Sequence, residues 1–219
     1  SSANVYGNPE ALPVNEESPT GQGITNPYGF TKYFCEQILR DTCNANPRFQ
    51  AIALRYFNPI GAHPSGLIGE DPQETPNNVA PYISQVASGK LAEFSIFGND
   101  YPTPDGTGVR DYIHVMDLAE GHVAALSFES TGFEAINLGT GKGTSVLELH
   151  SAFERASERN IPYRIVERRE GDIGSSFADV AKAHRLLKWS TKRSVEEGCM
   201  DAWRWQSNNP NGYTDPTER

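Results

Sequence analysis

Phe30, Phe34 and Ile38 recur at intervals of four, with Asn26 and Pro27 just before them as an N-cap and a first helical residue. The pattern predicts a helix opening at Pro27. Residues 49–57 form an almost continuously apolar run. It predicts a strand of the kind buried in a parallel sheet with helices on both faces, and it stops at Asn58-Pro59-Ile60-Gly61. Residues 63–76 are rich in Gly and Pro, which predicts a long irregular crossing into a different structural unit and puts the domain boundary there. Beyond it the pattern predicts a short helix at 79–86, a short strand at 94–97 and a turn at 98–102. Asp117 is expected to N-cap a helix through Leu118, Val123 and Leu126. Residues 135–138 read as a strand ending at Gly139, and Ser145 with Glu148 forms a capping box for a helix reaching Ala156. Residues 1–7 read as the end of a strand, and the chain from Asn208 onward as a polar tail.

Strand and helix alternate, so the predicted class is α/β with a parallel sheet. In such sheets ligands collect beyond the carboxyl ends of strands, which points to Ser2-Ala3-Asn4 and to Phe57-Asn58. The 219 residues have room for one large or two small domains, and 37% hydrophobic with 21% charged residues is ordinary globular composition. A net charge of -9 argues against a general binder of nucleic acid or of anionic membranes. No apolar run approaches the ~20 residues a membrane span needs. Cys35, Cys43 and Cys199 show neither zinc spacing nor a Cys-x-x-Cys motif, and their odd number fits reduced thiols in a cytoplasmic protein.

Two patterns invite chemistry that their details do not support. His114 and His122 stand eight apart around Asp117, without the spacing of metal ligands, so no metal is expected. Gly139-Thr140-Gly141-Lys142-Gly143-Thr144 follows a strand and precedes a helix as a phosphate loop does. Lys142 is followed by Gly143 where a Walker loop needs Ser or Thr, so a plain glycine-rich turn is expected.

Tyr28 and Lys32 are the pair with chemical promise, since four residues apart on one helix they share a face. A free tyrosine titrates near pH ~10, and working as a base near neutrality asks for roughly 4 kcal/mol of preference for the phenolate. An adjacent ammonium supplies charge of the required sign. With nine tyrosines in the chain, chance produces such a pair in roughly one chain of this kind in four, so its surroundings decide its meaning.

Those surroundings carry a resemblance. Ser2-Ala3-Asn4-Val5-Tyr6-Gly7, Asn26-Pro27-Tyr28-Gly29-Phe30-Thr31-Lys32, Leu54-Arg55-Tyr56-Phe57-Asn58-Pro59-Ile60-Gly61-Ala62-His63-Pro64-Ser65-Gly66, Ile96-Phe97-Gly98-Asn99-Asp100-Tyr101, Gly106-Thr107-Gly108-Val109-Arg110-Asp111-Tyr112-Ile113-His114-Val115-Met116-Asp117 and Arg168-Arg169-Glu170-Gly171-Asp172 stand in this order. Together they resemble the UDP-galactose (UDP-glucose) 4-epimerase family of the extended short-chain dehydrogenase/reductase superfamily, over nearly the whole chain to about Tyr213. The resemblance implies the C-terminal part of a Rossmann-like, doubly wound parallel sheet plus a smaller α/β substrate-binding domain. Residues 1–60 would be the remainder of the NAD-binding domain and 61–219 mainly the UDP-sugar domain, with 111–142 returning to the Rossmann sheet. Family members open with a glycine-rich turn that cradles the cofactor pyrophosphate. This sequence lacks that turn and so reads as N-terminally truncated.

By resemblance, Tyr28 takes the O4 proton of a UDP-hexose while C4 gives a hydride to tightly held NAD. The resulting 4-keto sugar turns and takes the hydride back on its other face. Lys32 favours the phenolate and holds the nicotinamide ribose, Ser2 hydrogen-bonds the reacting oxygen, and Phe57 lies beside the nicotinamide. For the substrate, the resemblance assigns Asn58 to the diphosphate, and Asn78 and Val79 to phosphate and sugar contacts at a helix start. Ser95, Ile96 and Phe97 would receive the uracil, Arg110 and Arg169 would clamp the diphosphate, and Asp172 would hold the uridine ribose. From local sequence alone, Ser2 reads as a plain strand-end serine, Asn78 as a simple cap, and the arginines as solvated surface charges.

Ser176 occupies the position four residues past that aspartate, where the family often places a larger gatekeeping side chain. Its small size leaves room for an N-acetyl group, and insertions nearby could refill that room. The related dehydratases carry an Asp-Glu pair after the catalytic hydroxyl and the UDP-glucuronate decarboxylases a Glu; here Ala3 and Asn4 stand there, which favours epimerisation. The other reading is a catalytically inert fragment that retains only nucleotide-sugar contacts. A homodimer formed through the Tyr28 helix is implied by similarity.

Overall fold

Ser2 runs extended and makes a parallel bridge to Tyr56, after which Ala3–Tyr6 closes into a single 3-10 turn. This computed structural model describes residues 1–72 and 76–213. Its helices are α1 (Pro27–Ala45), α2 (Val79–Ala87), α3 (Val115–Leu126), α4 (Val146–Ser157), α5 (Ala181–Leu187) and α6 (Val195–Asn208). Its strands are β1 (Ala51–Tyr56), β2 (Asn58–Ile60), β3 (Phe94–Phe97), β4 (Val109–Arg110), β5 (Tyr112–His114), β6 (Phe133–Leu138), β7 (Thr144–Ser145), β8 (Tyr163–Val166) and β9 (Ser175–Ser176). Parallel pairing joins β1 to β6, β2 to β5 and β3 to β8. In a fourth small sheet β4 lies between antiparallel β7 and parallel β9. Among the described residues no helix is long and apolar enough to cross a membrane.

Two large cores flank these strands, beside a smaller one of Val5, Tyr6, Val14, Phe57 and Ala178. Leu54 of β1, Ile136 and Leu138 of β6, Leu118 of α3 and Leu187 of α5 pack with Trp189 on one side. Ile83 of α2, Phe94 and Ile96 of β3, Leu149 and Phe153 of α4 and Cys199 of α6 form the other. Burying a side chain of this size is worth roughly 1.5–3 kcal/mol, so α2, α4 and α6 hold β3 in place from one side.

Local chemistry explains most boundaries, and some differ from expectation. Asn26 caps α1, its side-chain oxygen accepting from Gly29 N–H at 2.8 Å. The stripe that predicted α1 nevertheless faces outward among the described residues: Phe34 and Ile38 are 56% and 65% exposed, while Gly29, Glu36 and Cys43 form the buried face. Asp117 does not cap α3. His114 does, with Nδ1 accepting from Met116 N–H at 3.1 Å, because β5 runs directly into the helix. Asp117 sits buried in the first turn and accepts from the Lys192 and Arg193 N–H groups at 3.0 and 2.9 Å. Strand β8 and helices α5 and α6 add to the predicted elements. Of the expected crossing at 63–76, residues 73–75 lie outside the described residues, as do 214–219 of the expected polar tail. The part of that tail that is described is pinned: the Tyr213 ring packs 4.5 Å from Trp205, and its hydroxyl donates to Gly69 O at 3.1 Å.

Candidate active site

The first turn of α1 presses directly on the segment that carries Ser2. At Gly29 a Cβ would come within 2.7 Å of Ile24 and 3.1 Å of Asn4 O, so only glycine allows this approach. Tyr28 is thereby held at the mouth of a 740 Å³ cavity whose wall also includes Ser2, Phe57, Asn58, Asn78, Arg110, Asp172 and Ser176. The Tyr28 side chain is 51% exposed. Lys32 Nζ lies 5.3 Å from the centroid of its ring, so the two share a face of α1. Ser2 Oγ accepts from Asn4 N–H at 3.2 Å, capping the 3-10 turn. Phe57 and Asn58 follow at the end of β1, where Phe57 N–H donates to Leu138 O and Asn58 N–H to Asp111 O.

Asn58, Asn78, Arg110 and Asp172 also line a second, narrower cavity of 180 Å³, which extends past Val79, Ser95, Phe97 and Arg169. The two spaces thus share a wall and form one trough. Arg110 donates through Nη2 to Asp172 and through Nη1 to Val109 O at 2.9 Å. The Arg169 guanidinium stacks 3.8 Å from the centroid of the Phe97 ring. β4 and β9 place Arg110 directly beside Ser176. One end of the trough therefore holds a phenol and a hydroxyl, the shared wall the Arg110 guanidinium, and the far end the Phe97 ring with the Arg169 guanidinium stacked on it. Hydroxyl groups suit a proton transfer, guanidinium forks an anionic diphosphate, and the ring a planar base.

Residues 1–139 match the family described as NAD dependent epimerase/dehydratase. The chain belongs to that family. Over 215 residues it is 61% identical to a UDP-glucose 4-epimerase of Bacillus subtilis (strain 168), covering 97% of this chain and 63% of the relative. Identity to a UDP-glucose 4-epimerase of Dictyostelium discoideum is 57% over 218 residues, 98% of this chain and 63% of the relative. Among solved structures, the UDP-glucose 4-epimerase from Bifidobacterium longum in complex with NAD+ and UDP is 53% identical with a TM-score of 0.94, covering 97% of this chain and 64% of that one. The chain spans about 63% of the length of these curated relatives.

Within this member of the epimerase/dehydratase family, Lys32 and Ile96 stand apart from the other expected site residues. Lys32 lies one turn behind Tyr28 and is not part of the trough wall, and the Ile96 side chain belongs to the core, leaving only its main chain toward β8. The expected division of labour between Arg110 and Asp172 also changes form, because here the two side chains bind each other. Asn78, at the N-cap position of α2, makes no side-chain cap; its Nδ2 donates to Glu70 at 3.2 Å. Ser95 Oγ lies 3.5 Å from Arg164 Nε.

Sequence reasoning passed over Tyr56. It lines the cavity, and its hydroxyl lies 2.5 Å from His122 Nε2. His122 Nδ1 donates to Leu118 O at 2.8 Å, which leaves Nε2 to accept from the Tyr56 O–H. Burial pushes the Tyr56 phenol up, and neighbouring Tyr28 adds to the push. Asn77 and Ile173 also belong to the wall, and no motif marked them.

The residues present fit the nicotinamide end of NAD. A phenol and an ammonium occupy one helix face, Phe57 offers apolar surface, and the cavity beside them is large and open on the Tyr28 side. Among the described residues, no group of three or more His, Cys, Asp or Glu is arranged to hold a metal ion.

Proposed function

We propose that this chain carries the catalytic tyrosine and the nucleotide-sugar site of a UDP-glucose 4-epimerase, an isomerase (EC 5.1.3.2) that interconverts UDP-galactose and UDP-glucose with NAD bound. The observation that carries the reading is the single trough running from Tyr28 and Ser2 to Phe97, with Asn58, Asn78, Arg110 and Asp172 common to its two parts. Its length and order of chemistry suit a hexose, a diphosphate and a base in succession. The names of the relatives from Bacillus subtilis and Bifidobacterium longum support the same assignment.

In this reading Arg110 and Arg169 hold the diphosphate, Asn58 and the α2 start with Asn78 and Val79 add hydrogen bonds, and Asp172 meets the ribose as Arg110 turns to phosphate. Main-chain groups of Ser95 and Ile96 read the uracil edge, while Phe97, backed by Arg169, covers its face. Tyr28 accepts the O4 proton and later returns one, Ser2 hydrogen-bonds the same oxygen, and Lys32 favours the phenolate. Tyr28, Lys32 and Phe57 would hold NAD, which when bound would supply the acceptor and donor of the hydride at C4. The cavity leaves space for the keto sugar to present its second face. Among the described residues its only lining carboxylate is Asp172, held by Arg110, and the positions after Ser2 are Ala3 and Asn4, neither of them an acid that could expel water.

Ser176 forms part of the sugar wall, and we assign it the acceptance of UDP-GalNAc and UDP-GlcNAc alongside the parent sugars. The proposed partners are a UDP-hexose and a second copy of the chain; nucleic acid and membranes have no part in this reading. Three free cysteines suit a cytoplasmic location.

The test supplies the intact protein with NAD and UDP-galactose and identifies the product by chromatography, with UDP-GalNAc and UDP-glucuronate in parallel. UDP-glucose from UDP-galactose, UDP-GlcNAc from UDP-GalNAc and no decarboxylation are expected. Unchanged UDP-galactose contradicts the function, and unchanged UDP-GalNAc alone contradicts the role of Ser176.

A further inference from the structure

One turn beyond Lys32, on the same face of α1, stands Glu36. It is 1% exposed, and its carboxylate accepts from Arg55 Nε at 2.9 Å and Nη2 at 2.7 Å. The same carboxylate accepts from Ser1 Oγ at 2.6 Å. Arg55, in β1, is 2% exposed; its Nη1 donates to Tyr6 Oη at 2.8 Å and to Glu16 O at 3.4 Å. Tyr6 Oη in turn donates to Asn137 of β6 at 2.6 Å. Burial alone pushes the Glu36 carboxyl up, but Arg55 and Ser1 outweigh it and hold the group below the usual carboxylate range, so the pair stays charged.

A bidentate ion pair drawn fully out of water is a poor way to gain stability, since apolar side chains of the same volume usually do as well or better. What this pair provides is connection. Helix α1, bearing Tyr28 and Lys32, reaches it through Glu36. The segment bearing Ser2 reaches it from both sides, through Ser1 and Tyr6. Strand β1, which ends at Phe57 and Asn58, reaches it through Arg55. Three of the chain segments around the Tyr28 end of the trough are thus fastened to one buried, directional cluster.

We propose that Glu36 and Arg55 are positioning residues for the reaction: they fix Tyr28 relative to Ser2, so that both hydroxyl groups meet the same substrate oxygen, without touching the substrate. The inference rests on the function proposed above, and it adds what holds that geometry. Misplacement of a reacting group by about 1 Å can cost on the order of 100-fold in rate.

The test replaces both partners at once, Glu36→Leu with Arg55→Met, which fills the volume and removes the direction. Thermal unfolding of the intact protein is expected at or above the wild-type midpoint. KM for UDP-galactose should stay within about twofold while kcat falls roughly 10- to 100-fold, a split that general loosening of the fold would not produce. A double variant with wild-type kcat overturns the proposal. Should it fail to fold, Ser1→Ala decides: it removes one tie between Glu36 and the Ser2 segment, a several-fold fall in kcat at constant KM is expected, and wild-type kcat overturns the proposal. Wild-type protein assayed alongside separates the two readings. No epimerisation by the wild type contradicts the function itself, whereas an active wild type with an equally active double variant contradicts only the positioning role.

Discussion

Asp111 is fully buried, and each of its donors is neutral: Thr140 N–H at 2.8 Å, Thr140 Oγ1 at 2.6 Å, Gly141 N–H at 3.0 Å and Ala178 N–H at 3.1 Å. A Cβ on Gly139 would lie 2.6 Å from its carboxylate. The turn that looks like a failed phosphate loop therefore does wrap an anion, and the anion is the chain's own. Through its main chain the same residue accepts from Asn58 N–H and donates to Ser176 O, and it follows Arg110 directly, so it joins three walls of the trough. Burial pushes its carboxyl up, against the pull of the four donors. The folded state thus holds this proton more tightly than the unfolded chain does. Stability from this group rises as pH falls through the folded pKa toward the unfolded value, and is lost above that window. Asp111→Asn turns an amide N–H₂ toward N–H donors and should cost about 1–3 kcal/mol at pH 7. The deficit should widen toward pH ~4.5, where only the wild type gains; urea unfolding at the two pH values checks this, and a deficit independent of pH contradicts it. Asp111 illustrates which residues the sequence reveals. Tyr28, Lys32, Arg110 and Arg169 stand out because ordered motifs surround them. The tasks of Asp111, Glu36 and Tyr56 depend on partners far along the chain, which no local window contains.

Helix α1 carries different chemistry on its two sides. Tyr28, Lys32 and Glu36 follow one face, and Phe30, Phe34 and Ile38 follow another that is exposed among the described residues. Beside the second face Ile24, Pro27, Phe30 and Phe34 line an apolar hollow of 420 Å³. The cap and the spacing made the helix legible, but spacing of four reports only a period and not which neighbour covers it. The homodimer proposed through this helix would bury these side chains. Phe34→Glu sets a carboxylate in that face, and light scattering on the intact protein should then give half the wild-type mass; an unchanged mass contradicts a dimer through α1. One of the elements missed by the reading of the sequence, α6, opens with Ser194 and Glu197 in the same capping box that identified α4. Its signal was present in the sequence. Strand β8 gave less, since most of its residues face solvent and its side chains form no buried alternation.

At the scale of the whole molecule, the polar trough is built on elements that the apolar cores hold in place. The parallel pairs β1/β6 and β2/β5 lie next to one another, and Asn58 opens β2 where β1 ends, so the trough lies at a carboxyl end as open α/β sheets predict. The net charge is -9, yet Arg110 and Arg169 both line the trough, which suits an anionic substrate on an otherwise acidic surface. The α/β class was legible because apolar strand and helix periods alternate along the chain. The pairing of Arg110 with Asp172 was not, because it joins strand β4 to a segment far along the chain. The central claim is that the phenol of Tyr28 moves the proton while the rest of the trough holds the nucleotide. Its most direct measurement is the rate of UDP-galactose conversion by intact protein carrying Tyr28→Phe, with UDP-galactose binding followed separately. A fall in kcat of about 100-fold or more with binding unchanged is predicted; turnover within twofold of the wild type would contradict it.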